Sequence, residues 1–288
     1  MRFSLFIRRL SLALIGLILA GCAGVQGSNG QAFAKSSKAQ ALAALDRPNL
    51  IPKNLFGQDP PKRHIRTLAV AGDSLSIGLA SEMEKALADK PGLGFTSLGK
   101  VSSGLARPDF FDWNRNMDDL ASRYKPDAVV MMIGANDNKP LRLSDGSQIN
   151  YGTREWDLGY KERVRRIVSI IRTHNPSAVV FWLEAPVMAD PGLSHDLKHI
   201  NALAREVMTQ TPDCHFVETR TLFCAPGGGF AFSKPDVEDG ATLRTRDGIH
   251  LTTAGAQALA GHCLTALQTR LTWEDPRPAD IPLADKGV

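Results

Sequence analysis

Two near-continuous apolar runs, Ala128–Ile133 (Ala-Val-Val-Met-Met-Ile) and Ala178–Leu183 (Ala-Val-Val-Phe-Trp-Leu), constrain the fold of this chain more than any other feature. An unbroken apolar run with no polar alternation suits a strand buried on both faces, and such strands belong to parallel sheets covered by helices. Between the two runs lies Arg154–His174, where Val164, Ile167, Val168 and Ile171 recur at i, i+3, i+4 and i+7 while Lys161, Arg165 and Arg172 stay outside. That period is helical, and strand, helix, strand in succession is a βαβ unit. Further strands are expected at Thr67–Ala71, Phe95–Leu98 and His215–Val217. Helical spacing recurs at Ile77–Ala88, Met117–Tyr124, Leu197–Thr209 and Ala254–Thr269, the last behind Thr252-Thr253 as caps. The expected fold class is α/β, a three-layer α/β/α sandwich around a mainly parallel sheet.

The amino-terminal segment is set apart from this pattern. Arg2, Arg8 and Arg9 precede an apolar run from Leu10 to Ala20, the layout of a secretory signal. The run ends in Leu19-Ala20-Gly21-Cys22, which resembles the bacterial lipoprotein processing box and implies cleavage before Cys22 with diacylglycerol on its thiol. Several acyl chains make a stable anchor, because each buried CH₂ contributes about 0.8 kcal/mol. An uncleaved anchor, or an ordinary signal with an incidental Cys, competes with that reading; the small residues at 20 and 21 favour lipidation. Ala23 stands where an inner-membrane retention signal usually shows Asp, so the expected location is the periplasmic face of the envelope, at the outer membrane rather than the inner.

Residues 1–21 hold three of the 34 Lys and Arg and none of the 30 Asp and Glu. The rest of the chain is therefore close to neutral, and no basic stripe marks a nucleic-acid surface. Residues 22–64 read as a lipidated tether and lead-in, rich in Gly, Ser, Ala, Lys, Gln and Pro. Residues 65–275 suit one domain with a sizeable core, and 276–288 an irregular tail. Cys214, Cys224 and Cys263 sit in an export context where disulfides persist. Cys214 with Cys224, Cys224 with Cys263, or three buried thiols all remain open. No metal-ligand spacing occurs, and no cofactor is called for.

The run Thr67–Ala71 passes directly into Gly72-Asp73-Ser74-Leu75-Ser76. A Ser that leaves a buried strand and opens a helix stands at the carboxyl edge of the sheet, where α/β folds place their ligands. Alone it would read as a helix cap. Three more blocks follow in order: Ser102-Ser103-Gly104-Leu105, then Gly134-Ala135-Asn136-Asp137, then Asp247-Gly248-Ile249-His250. The set resembles the SGNH (GDSL) family of serine esterases and acyl-group hydrolases, whose fold is flavodoxin-like and whose named residues are Ser, Gly, Asn and His. Matched block by block, the resemblance implies Ser74 as nucleophile and His250 as its base. It also implies an oxyanion hole from the backbone N–H groups of Ser74 and Gly104 and the Asn136 side chain. Asp247, one turn before His250, can accept from one ring nitrogen and leave the other facing Ser74. Position 76 is Ser, so the Gly-x-Ser-x-Gly elbow of α/β-hydrolases is absent.

The stretch Lys100–Trp113 resembles a branch of exported bacterial SGNH proteins long labelled as a domain of unknown function, and the likeness spans about residues 65–270. Within it Arg107 is a candidate substrate contact, or with Asp109 a brace of the loop. Phe110, Phe111 and Trp113 fit a sugar-stacking wall or the core, and Trp156 and Tyr160 are equally ambiguous. Asp73 and Asp137 look like supports for loop amides. The insert Asn138–Gly152 fits a hairpin at the cleft rim, and Gly227-Gly228-Gly229 a hairpin or lid. His195 and His199 are spaced like metal ligands but lack the Glu and a third partner, which favours exposed helix positions.

These readings converge on a lipid-anchored serine esterase that hydrolyses acyl, chiefly O-acetyl, esters on an envelope or exported polysaccharide. The carbohydrate rests on location and branch resemblance. The partners expected are an acylated carbohydrate or small ester, and the membrane through the lipid. Two alternatives stand beside it: an O-acyltransferase with the same triad, served by an envelope acyl-transfer partner or a soluble donor, and a non-catalytic binding lipoprotein.

Overall fold

The computed structural model describes residues 61–234 and 241–273. Cys22, most of the tether and the tail at 276–288 lie outside the described residues. A five-stranded sheet forms the centre: β2 (Thr67–Gly72), β3 (Gly94–Gly99), β4 (Ala128–Met132), β7 (Val179–Leu183) and β8 (Cys214–Val217). All neighbours run parallel in the order β3-β2-β4-β7-β8. Every residue of β4 and β7 is buried, as their unbroken apolar text requires. β3 is an edge strand whose residues stay half-buried or exposed, which is why its sequence carries the weakest apolar signal of the set.

Among the described residues six helices form: α1 (Ser74–Leu87), α2 (Trp113–Tyr124), α3 (Arg154–His174), α4 (Pro191–Gln210), the single turn α5 (Arg220–Phe223) and α6 (Thr253–Gln268). α1 packs on α6, while α2 packs on α3 and α3 on α4, as the right-handed rule for parallel crossovers requires when it sets these two groups on opposite faces. The result is the three-layer α/β/α sandwich anticipated above. The chain turns from β2 to β3 on one side and then to β4 on the other, so the strand order reverses between β2 and β4. In open parallel sheets that crevice is where ligands sit.

Several helix starts lie upstream of where periodicity alone places them. α2 begins at Trp113 because Asp112 accepts from the N–H groups of Asn114 (3.0 Å) and Arg115 (3.2 Å). α4 begins at Pro191, with Asp190 accepting from Leu193 N at 2.6 Å. In both cases a carboxylate cap fixes the start while the first turn carries little apolar signal. Thr252 caps α6 through Gly255 N at 3.1 Å. The insert folds as expected, β5 (Leu141–Arg142) pairing antiparallel with β6 (Gln148–Ile149). The strand β1 (Arg63–His64), just ahead of position 65, pairs with β9 (Leu271–Thr272) and brings the two ends of the domain together. Cys214, Cys224 and Cys263 are all free thiols, two of them buried.

Candidate active site

The site begins where β2 stops. Gly72 has φ +153°, and a Cβ there would lie 1.8 Å from Met132 O, so β2 and β4 approach as closely as they do only because position 72 is Gly. Asp73 is fully buried and caps α1 by accepting from Leu75 N at 3.0 Å. Its other oxygen accepts from Gly134 N (3.2 Å) and Ala135 N (3.1 Å), tying the loop after β4 to the start of α1. Burial pushes this carboxyl up to about 7, against the three N–H donors that favour its charge. Ser74 is therefore the first helical residue, half-exposed, with its N–H among the amides that have no acceptor inside the helix.

His250 Nε2 lies 2.9 Å from Ser74 Oγ, across 176 positions of sequence. Its Nδ1 lies 2.7 Å from Asp247 Oδ2. Asp247 Oδ1 is occupied too, accepting from Thr245 Oγ1 (2.6 Å), Ile249 N (2.8 Å) and His250 N (3.0 Å). The bond to His250, then that to Thr245, holds the Asp247 carboxyl far below the usual carboxylate range. An ionised Asp247 takes the Nδ1–H, which leaves the Nε2 lone pair facing the serine hydroxyl. Three groups drawn from opposite ends of the domain thus form one hydrogen-bonded line.

The loops that carry Gly104 and Asn136 are locked to each other. Asn136 Nδ2 donates to Ser103 O at 2.9 Å, and one of its two hydrogens remains over. Asp137 is buried and accepts from Ala106 N (2.8 Å) and the Tyr160 hydroxyl (2.9 Å). Burial raises its carboxyl above the ordinary value. A Cβ at Gly104 would come 2.1 Å from Asp137 Oδ1, so that block needs Gly for close approach. The Gly104 N–H makes no hydrogen bond among the described residues.

Residues 67–266 match the family described as protein of unknown function (DUF459). The chain belongs to that family. All four motif blocks, those of Ser74, Gly104, Asn136 and the Asp247–His250 pair, fall within the matched residues. The DUF459 chain is similar to an active-site mutant of a family two carbohydrate esterase from Clostridium thermocellum, at 17% identity and TM-score 0.50, over 74% of this chain and 66% of the other. It is also similar to the C-terminal catalytic domain of peptidoglycan O-acetyltransferase A from Streptococcus pneumoniae, at 19% identity and TM-score 0.46, over 73% and 96%. A carbohydrate esterase family 3 member from Talaromyces cellulolyticus aligns at 15% identity and TM-score 0.47, over 70% and 98%. No curated protein matches.

The remaining candidates of the DUF459 chain divide by burial. Arg107 grips both oxygens of Asp109, at 2.8 and 2.7 Å, on the exposed loop after Gly104. Trp113 is core and donates to Ser103 Oγ at 3.1 Å, while Phe110 stays half-exposed with Lys100 Nζ 5.9 Å from its ring centre. Trp156 and Tyr160 are buried and stacked at 4.8 Å. His199 bonds Asp157 at 2.7 Å and His195 is exposed; no cluster among the described residues has the makings of a metal site. Gly227–Gly229 forms a tight turn closed by the Cys224–Phe230 bridge. One residue of the site has no motif to mark it. Arg244 is completely buried beneath the Asp247–His250 loop, whereas Arg246, two positions on in the same text, is exposed.

Proposed function

We propose that this protein is a serine esterase that hydrolyses short acyl esters, chiefly O-acetyl groups, on an envelope or exported polysaccharide. The observation that carries the reading is the Ser74–His250–Asp247 line at 2.9 and 2.7 Å. A lone serine hydroxyl is a poor nucleophile at neutral pH; one whose proton faces an oriented imidazole is not. Ser74 Oγ attacks the acyl carbon as His250 Nε2 takes its proton, and Asp247 stabilises the imidazolium. The charge that develops on the carbonyl oxygen is met by the Ser74 and Gly104 N–H groups and the spare N–H of Asn136. Collapse expels the sugar oxygen, which receives the proton from His250. Water then attacks the acyl-serine by the same route in reverse and releases the acid.

The half-exposed flank of Phe110, Lys100 and Arg107 supports a sugar-sized leaving group rather than a narrow tunnel for a long acyl chain. The shared architecture of the Clostridium carbohydrate esterase agrees with that choice. Anchoring through lipid on Cys22 belongs to the same reading, supported by the processing box and placing the enzyme where exported polysaccharide passes. Cys22→Ser should leave an unprocessed precursor without labelled fatty acid; a soluble, processed, unlabelled wild-type chain would remove the anchor from the account.

The direct test is a panel of acetylated polysaccharides incubated with purified protein, measuring free acetate and acetate moved to an added oligosaccharide. Hydrolysis predicts free acetate as the main product, lost in Ser74→Ala. Recovery of mainly acetylated oligosaccharide would make the enzyme an O-acyltransferase with the same residue roles.

A further inference from the structure

Arg244 is a buried cation without a buried anion. No carboxylate oxygen lies within ion-pair distance of its guanidinium among the described residues, and its Nε has no hydrogen-bond partner there. The other two nitrogens are both engaged. Nη1 donates to Val187 O at 2.8 Å. Nη2 reaches Ile249 O at 2.7 Å, Gly248 O at 3.3 Å and Met188 Sδ at 3.0 Å. The rings of Phe223 and Phe230 lie 5.4 and 5.2 Å from the guanidinium carbon and supply the remaining stabilisation through their faces. Burial draws the group down to about 10, yet leaves it charged at neutral pH.

Burying a charge in this way is costly, and a well-packed apolar residue would avoid the cost. What the guanidinium holds explains its presence. Gly248 and Ile249 are the two residues between Asp247 and His250. The hairpin that carries them closes at the Arg244–Leu251 bridge, with Thr245 N donating to His250 O at 2.9 Å. From the same loop after β7 as Val187 and Met188, Ala189 N also donates to Gly248 O at 3.0 Å, and a Cβ at Gly248 would strike Ala189 at 2.2 Å. One side chain therefore bolts the inner face of the Asp247–His250 turn to the loop after β7.

We infer that Arg244 is a positioning residue for His250: it sets the height and tilt of the imidazole against Ser74 Oγ by fixing the two peptides that precede it. This rests on the esterase reading above. A displacement of about 1 Å at such a base costs on the order of 10²-fold in rate. Arg244→Met, which keeps length and apolar packing, should lower kcat by about 10²-fold per phosphonate-titrated site, with KM for a short chromogenic ester within about twofold. Arg244→Lys, able to reach only part of the carbonyl set, should lose less and provides a folded variant if Arg244→Met is unstable. Guanidinium ion added to Arg244→Ala should restore part of the lost kcat, a rescue that a merely stabilising side chain would not show. The downfield proton resonance of the His250–Asp247 bond should be present in wild type and shifted or lost in Arg244→Met. Folded Arg244 variants with unchanged kcat per titrated site and an unchanged ring resonance would overturn the inference, whatever their melting temperature. If wild type turns over no ester, the esterase reading fails separately, and the ring resonance alone decides the role of Arg244.

Discussion

Single residues decide the chemistry proposed here, and each does so through a partner that can be removed. Asn136 spends one amide hydrogen on a structural bond to Ser103 O (2.9 Å) and keeps the other for the oxyanion in the proposed mechanism. Asn136→Ala should lower kcat by about 10²–10³, the size of losing one oxyanion donor, with KM little changed because the donor acts on developing charge. An effect confined to KM would make Asn136 a binding residue instead. Asp73 makes a different claim, about pH. Its folded value near 7 lies above the 3.8 of a free carboxyl, so the native state holds its proton more tightly than the unfolded chain does. Its contribution to stability therefore falls as pH rises from about 4 to about 7. Buried Asp137 is raised as well and adds to the same slope. Asp73→Asn removes one of the two titrations and offers a single oxygen to three N–H donors. Urea unfolding at about pH 5 should show a loss of about 1–3 kcal/mol, and the dependence on pH between 4 and 7 should be shallower. A slope equal to wild type would rule out Asp73 as its source.

Elements written in apolar residues are legible in the sequence; those written in single contacts are not. β4 and β7 are unbroken because both faces are covered, and α3 starts and ends where its periodicity does. α2 and α4 start upstream of their apolar stripes because Asp112 and Asp190 cap them. α5 is one turn long, and β1 and β9 are two residues each, too short to carry any period. The four motif blocks can be placed because each follows a strand or precedes a helix at the sheet's carboxyl edge. Arg244 cannot, since its burial depends on Phe223, Phe230 and Val187, contacts that no local pattern of residues encodes. At this scale Gly72 is the tightest joint. Gly72→Ala must part β2 from β4 to clear Met132 O at 1.8 Å, and should cost more than about 3 kcal/mol or abolish soluble protein. Gly227→Ala is the control: a Cβ there meets nothing within 4 Å, and the change should stay within about 0.5 kcal/mol. Equal stability of the two variants in chemical denaturation would contradict the close approach of the strands.

Across the whole domain the sheet order explains why residues so distant in sequence meet. The reversal between β2 and β4 opens a crevice at the carboxyl edge; Ser74 follows β2 and Asn136 follows β4, one on each side of it. α6 packs on α1, which brings the Asp247–His250 turn ahead of α6 over the first residue of α1. The central claim is that this convergence makes Ser74 an acyl carrier. It is tested by mixing purified protein with p-nitrophenyl acetate, quenching in acid within the first turnover, and weighing the peptides. The account predicts one acetyl group on the peptide containing Ser74, its appearance slowed by several orders of magnitude in His250→Ala, and neither acetylation nor turnover in Ser74→Ala. Full turnover by Ser74→Ala, or acetyl carried on any other residue at a catalytically competent rate, would contradict it.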